Sequence, residues 1–277
     1  MERKRVFIVV KTYPTISKKY AELVCTAGVL EDGSWIRLYP MPFRKLDIDQ
    51  KYKKYSWIEI DVERNTSDFR AETYRPCNLG TVTVEEEQKQ GRKAPWTLRR
   101  SIIFKNKKIY TNLEELIKEA RTDKTSLAVF KPNKILGFTW EETERDWDKD
   151  KLKLLEAESR QLSLFQTLEE LEREFQVVKK VPYKFSYRFQ DDSGKISKMM
   201  IEDWEIGMLF FNCLKRADNN ENEAILKVKD KYFTEFLNRD LYFFLGTTKE
   251  FHNVAPNPFI IVGLFYPPKE SGQLSLF

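Results

Sequence analysis

One histidine, His252, stands in 277 residues, and that scarcity excludes much. A His-Glu-x-x-His helix, a histidine-rich zinc site and a multi-histidine nuclease centre all need more than one imidazole. The three cysteines, Cys25, Cys77 and Cys213, lie far apart, with no Cys-x-x-Cys pair and no disulfide framework. The 10 glycines form neither a Walker-type phosphate loop nor a Gly-x-Gly-x-x-Gly or Gly-x-Ser-x-Gly pattern, so nucleotide hydrolysis and serine-hydrolase chemistry are not expected. No run approaches the ~20 apolar residues of a membrane helix. The charged start leads straight into a strand-like run, without the apolar stretch of a signal peptide. The expectation is a cytoplasmic, nucleoid-associated protein with no membrane partner and no cofactor.

What is present is ample core material. Apolar residues make up 41% of the chain, including 20 Phe, 12 Tyr and 6 Trp. The net charge of +5 permits nucleic-acid contact without demanding it. The pattern predicts an α+β protein: a β-rich, barrel-like N-terminal domain over residues 1–146, a helical connector over 147–180, a mixed α+β domain over 181–268 and a tail over 269–277. In the first domain, residues 6–10 (VFIVV), 22–30, 35–39 (WIRLY), 57–62 (WIEIDV), 80–84, 102–104 and 127–130 read as strands. Asp32-Gly33 marks a hairpin turn. A helix over 113–121 is announced by Asn112 at its N-cap and by Glu114 and Glu115 in its first turn. The connector is rich in Lys, Glu and Leu and has no Gly or Pro until Pro182. Beyond it, 183–189 and 241–245 read as strands and 201–214 and 222–238 as helices. The run 259–265 (FIIVGLF) is apolar enough for a central strand.

The pentapeptide Gln-Leu-Ser-Leu-Phe occurs twice, at residues 161–165 and 273–277. The second copy follows Pro267, Pro268, Ser271 and Gly272, the composition of a flexible tail. Both copies resemble, at all five positions, the linear motif by which bacterial polymerases and mismatch-repair proteins dock on the DNA sliding clamp. The resemblance implies that Gln161 and Gln273 hydrogen-bond at a pocket rim. Leu162 and Leu274 would fill one apolar subsite, and Leu164 with Phe165, and Leu276 with Phe277, its neighbour. Burying two Leu and one Phe contributes roughly 1.5–3 kcal/mol each before ordering costs, so one copy should bind weakly and two gain avidity. Plainer readings stand beside this. Leu155, Leu162, Phe165, Leu168, Leu171 and Phe175 recur at helical spacing and could make the first copy the core face of a helix. The tail copy could dock back on its own domain.

Two further clusters carry candidate chemistry. Arg37, Arg44, Lys18, Lys19, Lys53 and Lys54 interleave with aromatic side chains, and Pro40 and Pro42 could present Phe43 and Arg44 as a rigid unit. That combination suits DNA or RNA phosphates with base stacking; the alternative is aromatic core under a solvated cationic face. Asp203 and Glu205 could join His252 around a divalent metal ion in a clamp-tethered nuclease, or Asp203 could simply cap a helix. The strand-rich first domain resembles the small barrels of the PUA and ASCH group, which implies RNA or modified-base binding. The second half resembles an uncharacterised bacterial family with a cysteine pair and a Gly-His before the Asp-Trp-Glu segment. Here that turn, residues 190–198, has neither Cys nor His. The expected function is clamp docking by a bacterial or phage-related factor in replication, repair or defence, as an adaptor or inhibitor. The nuclease and the RNA binder are the alternatives.

Overall fold

The computed structural model describes residues 1–15, 24–43, 46–85, 95–122, 125–149, 153 and 178–269. The fold is α+β and divides into two compact units, residues 1–93 with 140–184, and 94–139 with 185–277.

The first unit is built on a barrel. Strands β1 (Glu2–Lys11), β2 (Val24–Leu30), β3 (Trp35–Met41), β4 (Trp57–Arg64) and β5 (Thr73–Pro76) pair in the order β1-β2-β3-β5-β4, and β4 returns to β1. The ring is thus closed by five strands, with β3–β5 its one parallel pair, and β6 (Thr83–Val84) adds to the outside of β4. Period-two alternation drives this closure. In β4, Ile58, Ile60 and Val62 are buried while Trp57, Glu59 and Asp61 are half-exposed. The β2–β3 turn carries Gly33 at φ 90°, and Asp32 accepts from the Ser34 amide at 2.8 Å. Gly28 sits where β1 crosses closest: a Cβ there would lie 2.4 Å from Val6 Cγ1 and 2.6 Å from the Phe7 carbonyl oxygen.

Beyond the barrel, the two ends of the 150–177 segment are fastened side by side. The Thr143 amide donates to the Pro182 carbonyl at 2.9 Å, and the Trp147 indole to Val178 at 2.6 Å. The connector itself, including the first pentapeptide, lies outside the described residues apart from its edges.

The second unit holds two sheets. One orders β13 (Phe259–Phe265), β12 (Tyr242–Thr247), β8 (Leu127–Phe130) and β7 (Ile109–Tyr110). The other orders β11 (Ile196–Met200), β10 (Tyr183–Gln190) and β9 (Lys134–Glu142). Among the described residues its α-helices are α1 (Trp96–Ile103), α2 (Leu113–Arg121), α3 (Trp204–Arg216) and α4 (Glu221–Lys229). Asn112 caps α2 as predicted, accepting from the Glu114 and Glu115 amides at 2.9 and 3.2 Å.

Several expectations are corrected. The boundary at 146 moves, because β8 pairs with β12 and carries residues 94–139 into the second unit. Residues 102–104 end a helix rather than form a strand: Arg99 and Ile103 are buried one turn apart, and Trp96 and Phe104 pack on Phe265. The run FIIVGLF lies at the end of its sheet; the interior strands are β12 and β8, and β13 is covered where the Glu202 amide donates to the Ile261 carbonyl at 2.8 Å. The helix expected over 222–238 is three pieces, because α4 passes into a π-helical turn (Asp230–Glu235) and then a 3-10 turn (Phe236–Asn238). The Tyr187 hydroxyl donates to the Tyr232 carbonyl inside that π turn, and such an insertion into the ladder widens a helix locally.

One carboxylate fastens the β10–β11 turn to α2. Asp191 is buried and accepts from the Leu113 amide at 3.1 Å, the Ser193 amide and hydroxyl at 2.9 and 2.6 Å, and the Lys195 amide at 3.0 Å. Burial alone would raise its pKa; these donors outweigh burial and hold it below the ordinary value.

Two predictions follow from these contacts. Gly28→Ala should cost about 1–3 kcal/mol in urea unfolding, because β1 must shift to admit the methyl. Asp191→Asn should cost about 2 kcal/mol near neutral pH. The folded carboxyl binds its proton less tightly than the unfolded one, so this stability is full above about pH 4 and is lost as pH falls through the folded value. The acid slope of the unfolding midpoint should therefore flatten in the Asn variant.

Candidate binding groove and the predicted sites

The residues proposed for metal-assisted chemistry are used in the scaffold. Asp203 is 1% exposed and caps α3, its Oδ1 accepting from the Glu205 amide at 3.2 Å. Acidic side chains at this end also complement the helix dipole. Asp203 and Glu205 therefore share the first turn of α3, but His252 faces other partners. Its ring is fully buried, with Nε2 2.9 Å from the Ala120 carbonyl and Nδ1 2.7 Å from the Thr247 hydroxyl. A carbonyl can only accept, so Nε2 carries a proton, and in the neutral ring Nδ1 accepts from the Thr247 hydroxyl. The imidazole thus bridges the last turn of α2 to the β12–β13 connection. Arg121 reinforces this by donating to the carbonyls of Asn253 and Ala255 at 3.2 and 2.9 Å. Gly246 and Thr247 are the end of β12. Among the described residues, no three His, Cys, Asp or Glu side chains gather as metal ligands.

The basic aromatic cluster also changes character. Arg37 is 1% exposed, on a barrel strand covered by the loop that follows β4; its amide donates to Glu72 at 2.7 Å and its guanidinium to Thr73 at 3.2 Å. Burial, and then the like charge of Arg70, push its pKa down. Arg70 is held by Asp68 in a buried bidentate pair, with contacts of 2.9 and 2.6 Å. Phe43 is buried edge-on against Tyr52 at 4.9 Å, so Pro40 and Pro42 do not present it to solvent. Lys53 is exposed, and Lys54 is half-buried 5.6 Å from the Tyr55 ring. Lys18, Lys19 and Arg44 lie outside the described residues, as do all eight clamp-motif positions.

A site not foreseen from sequence lies in the second unit. Trp204, Met208 and Leu209 of α3, Tyr232 of the π turn, Phe236 and Tyr266 line a groove of about 360 Å³. Glu205, Asn212 and Lys231 supply its polar side chains. Both Tyr232 and Lys231 belong to the π turn; Tyr232 is buried, while Lys231 is half-exposed and pairs with Glu235 at 2.6 Å. Phe236 stacks on Tyr266 at 4.1 Å and forms the floor with Tyr232, 5.0 Å away. Burial, with the nearby Asp203 and Glu205 carboxylates, pushes the Tyr232 phenol well above its ordinary pKa. Met208 is 39% exposed on the wall. A concave, aromatic surface with a few polar groups is the usual form of a site for an apolar ligand or peptide.

The chain after β13 starts at this groove. Pro267 accepts from the Asp240 amide at 2.9 Å, and Pro268 forms a bridge with Arg239. Arg239 directly follows the 3-10 turn that begins with Phe236, while Tyr266 precedes the prolines. The route out is therefore fixed between two lining residues.

Two family models match the chain. Residues 2–105 match a domain of unknown function, DUF8758, and residues 110–277 match another, DUF8757. The second match spans more than half of the chain, and the protein belongs to the DUF8757 family. The matched segments do not coincide with the compact units: α1 falls in the DUF8758 match yet packs in the second unit, where Arg100 pairs with Asp240 at 2.6 Å. No curated protein matches. A solved murine structure, described as a DNA binding protein bound with double-stranded DNA, is similar at 8% identity over 73% of this chain and 75% of that one, with a TM-score of 0.28.

His252→Ala should cost about 3 kcal/mol in chemical denaturation, because it strands a buried carbonyl and a buried hydroxyl. A loss below about 0.5 kcal/mol would mean that the bridge does not hold α2.

Proposed function

We propose that this protein is a sliding-clamp-docking factor that works at DNA as an adaptor or inhibitor. The carrying observation is the pentapeptide Gln-Leu-Ser-Leu-Phe, present twice in one chain. Each copy concentrates its apolar anchors in contiguous residues, so docking needs no surface assembled by the fold. The scaffold around the copies supports the same reading. The first copy lies in a segment whose ends are joined through Thr143 and Pro182, and the second follows the fixed prolines after β13. Binding there would occupy pockets that clamp-dependent enzymes also need, and DNA would be reached through the clamp. No catalytic step is assigned to Asp203, Glu205 or His252: Asp203 caps α3, Glu205 is exposed in its first turn, and His252 hydrogen-bonds with Thr247 and Ala120.

Calorimetry of the full chain with a purified bacterial sliding clamp tests the proposal. Binding of about micromolar strength is expected. Changing Leu276 and Phe277 to Ala should weaken it at least about tenfold, and adding Leu164→Ala and Phe165→Ala should remove the remainder. Absence of heat with the unaltered chain would overturn the reading.

A further inference from the structure

The groove between α3 and the π turn has a lining suited to one segment in particular. Its walls are aromatic and aliphatic, through Trp204, Met208, Leu209, Tyr232, Phe236 and Tyr266, and its polar side chains are an amide, a carboxylate and an ammonium. Gln-Leu-Ser-Leu-Phe has the matching composition: three large apolar side chains and two small polar ones that hydrogen-bond with either sign of partner. Position agrees with chemistry. The chain is held beside the groove at Pro267 and Pro268, and Leu274 follows Pro268 by only six residues, up to about 20 Å when extended.

We infer that the groove is a docking site for the chain's own tail, with Leu274, Leu276 and Phe277 as its anchors. Binding in cis would bury the same side chains that the proposed clamp contact requires, so the two events exclude each other. The groove then acts as an internal competitor that sets how much of the tail is available. A tether of this length supplies an effective concentration of about millimolar, so even a weak groove competes. Self-docking concerns only this chain; the regulatory consequence alone rests on the clamp-docking reading.

The test uses the full chain carrying Leu276→Ala and Phe277→Ala, which empties the groove of its own anchors. A synthetic peptide of residues 271–277 is then titrated in by calorimetry. Saturable binding is expected, weakened at least about tenfold by Met208→Glu, a change on a partly exposed side chain that places charge on the apolar wall. An unchanged thermal midpoint in that variant keeps the comparison clean. No binding of the peptide, or binding indifferent to Met208→Glu, overturns the inference.

Clamp titration provides the second arm. With the native tail, Met208→Glu should raise clamp affinity several-fold, because the competitor is removed. If peptide binding is present and no variant binds clamp, self-docking stands and the clamp reading fails. If clamp binding is present and the peptide does not bind, the reverse holds.

Discussion

The pairing of β8 with β12 is the contact on which the second unit depends. Residues 127–130 meet 243–246 in antiparallel register, across the whole segment that includes the first pentapeptide. Closing so long a loop is entropically costly, and the cost is offset only by burying both strands completely. They are buried: all four residues of β8 and all six of β12 lie inside. Phe130, Phe243, Tyr187 and Phe189 then pack as one aromatic group, with centroids 5.3 to 6.4 Å apart. Once that pairing forms, α2 lies within reach of His252 and α1 within reach of Asp240. The family boundary near residue 110 cuts through this arrangement, so the two matched segments do not fold as separate beads.

The buried polar groups follow one logic. Asp191 and His252 each receive partners from distant chain segments, while Asp68 and Arg70 pair within one loop. Such groups destabilise strongly when one partner is removed, yet contribute little beyond an apolar substitute of equal shape. Their value here is positional. Asp191 fixes which turn meets the first residue of α2, and His252 fixes which loop meets its last turn, so the two ends of one helix are specified by two different side chains. Two features that suggested chemistry in the sequence, the lone histidine and Asp203, thus have roles in alignment and capping.

Legibility in the sequence followed locality. Asn112 and the acidic residues after it identified α2 to the residue, because a cap is decided by its own neighbours. The alternation of Ile58, Ile60 and Val62 and the Asp-Gly turn foretold the barrel for the same reason. Strands β9 and β11 were missed because their burial is uneven and their pairing with β10 alone makes them strands. The π turn has no local signal; its Tyr232 carbonyl is met by the hydroxyl of Tyr187, more than forty residues upstream. Arg37 looked like a surface cation because its cover, the Asp68–Arg70 loop, is supplied by tertiary folding. The groove was missed for the same reason: its lining comes from α3, from the π turn with the residues after it, and from Tyr266, segments that no local pattern joins.

The contrast between a contiguous motif and an assembled groove also constrains their energetics. A linear segment surrenders its freedom wherever it binds, so the ordering cost is similar in cis and in trans. The tether lowers the association cost only for the groove. A groove as complementary as a clamp pocket would therefore hold the tail permanently and silence it. One that is shallower, with Met208 left 39% exposed on its wall, can lose to a partner that supplies deeper pockets. Weakness is thus a condition of function in such a device. Under the clamp-docking proposal, the copy at residues 161–165, set in a separate segment, would supply a first contact that the groove need not release, after which the tail would be exchanged within an assembly already formed.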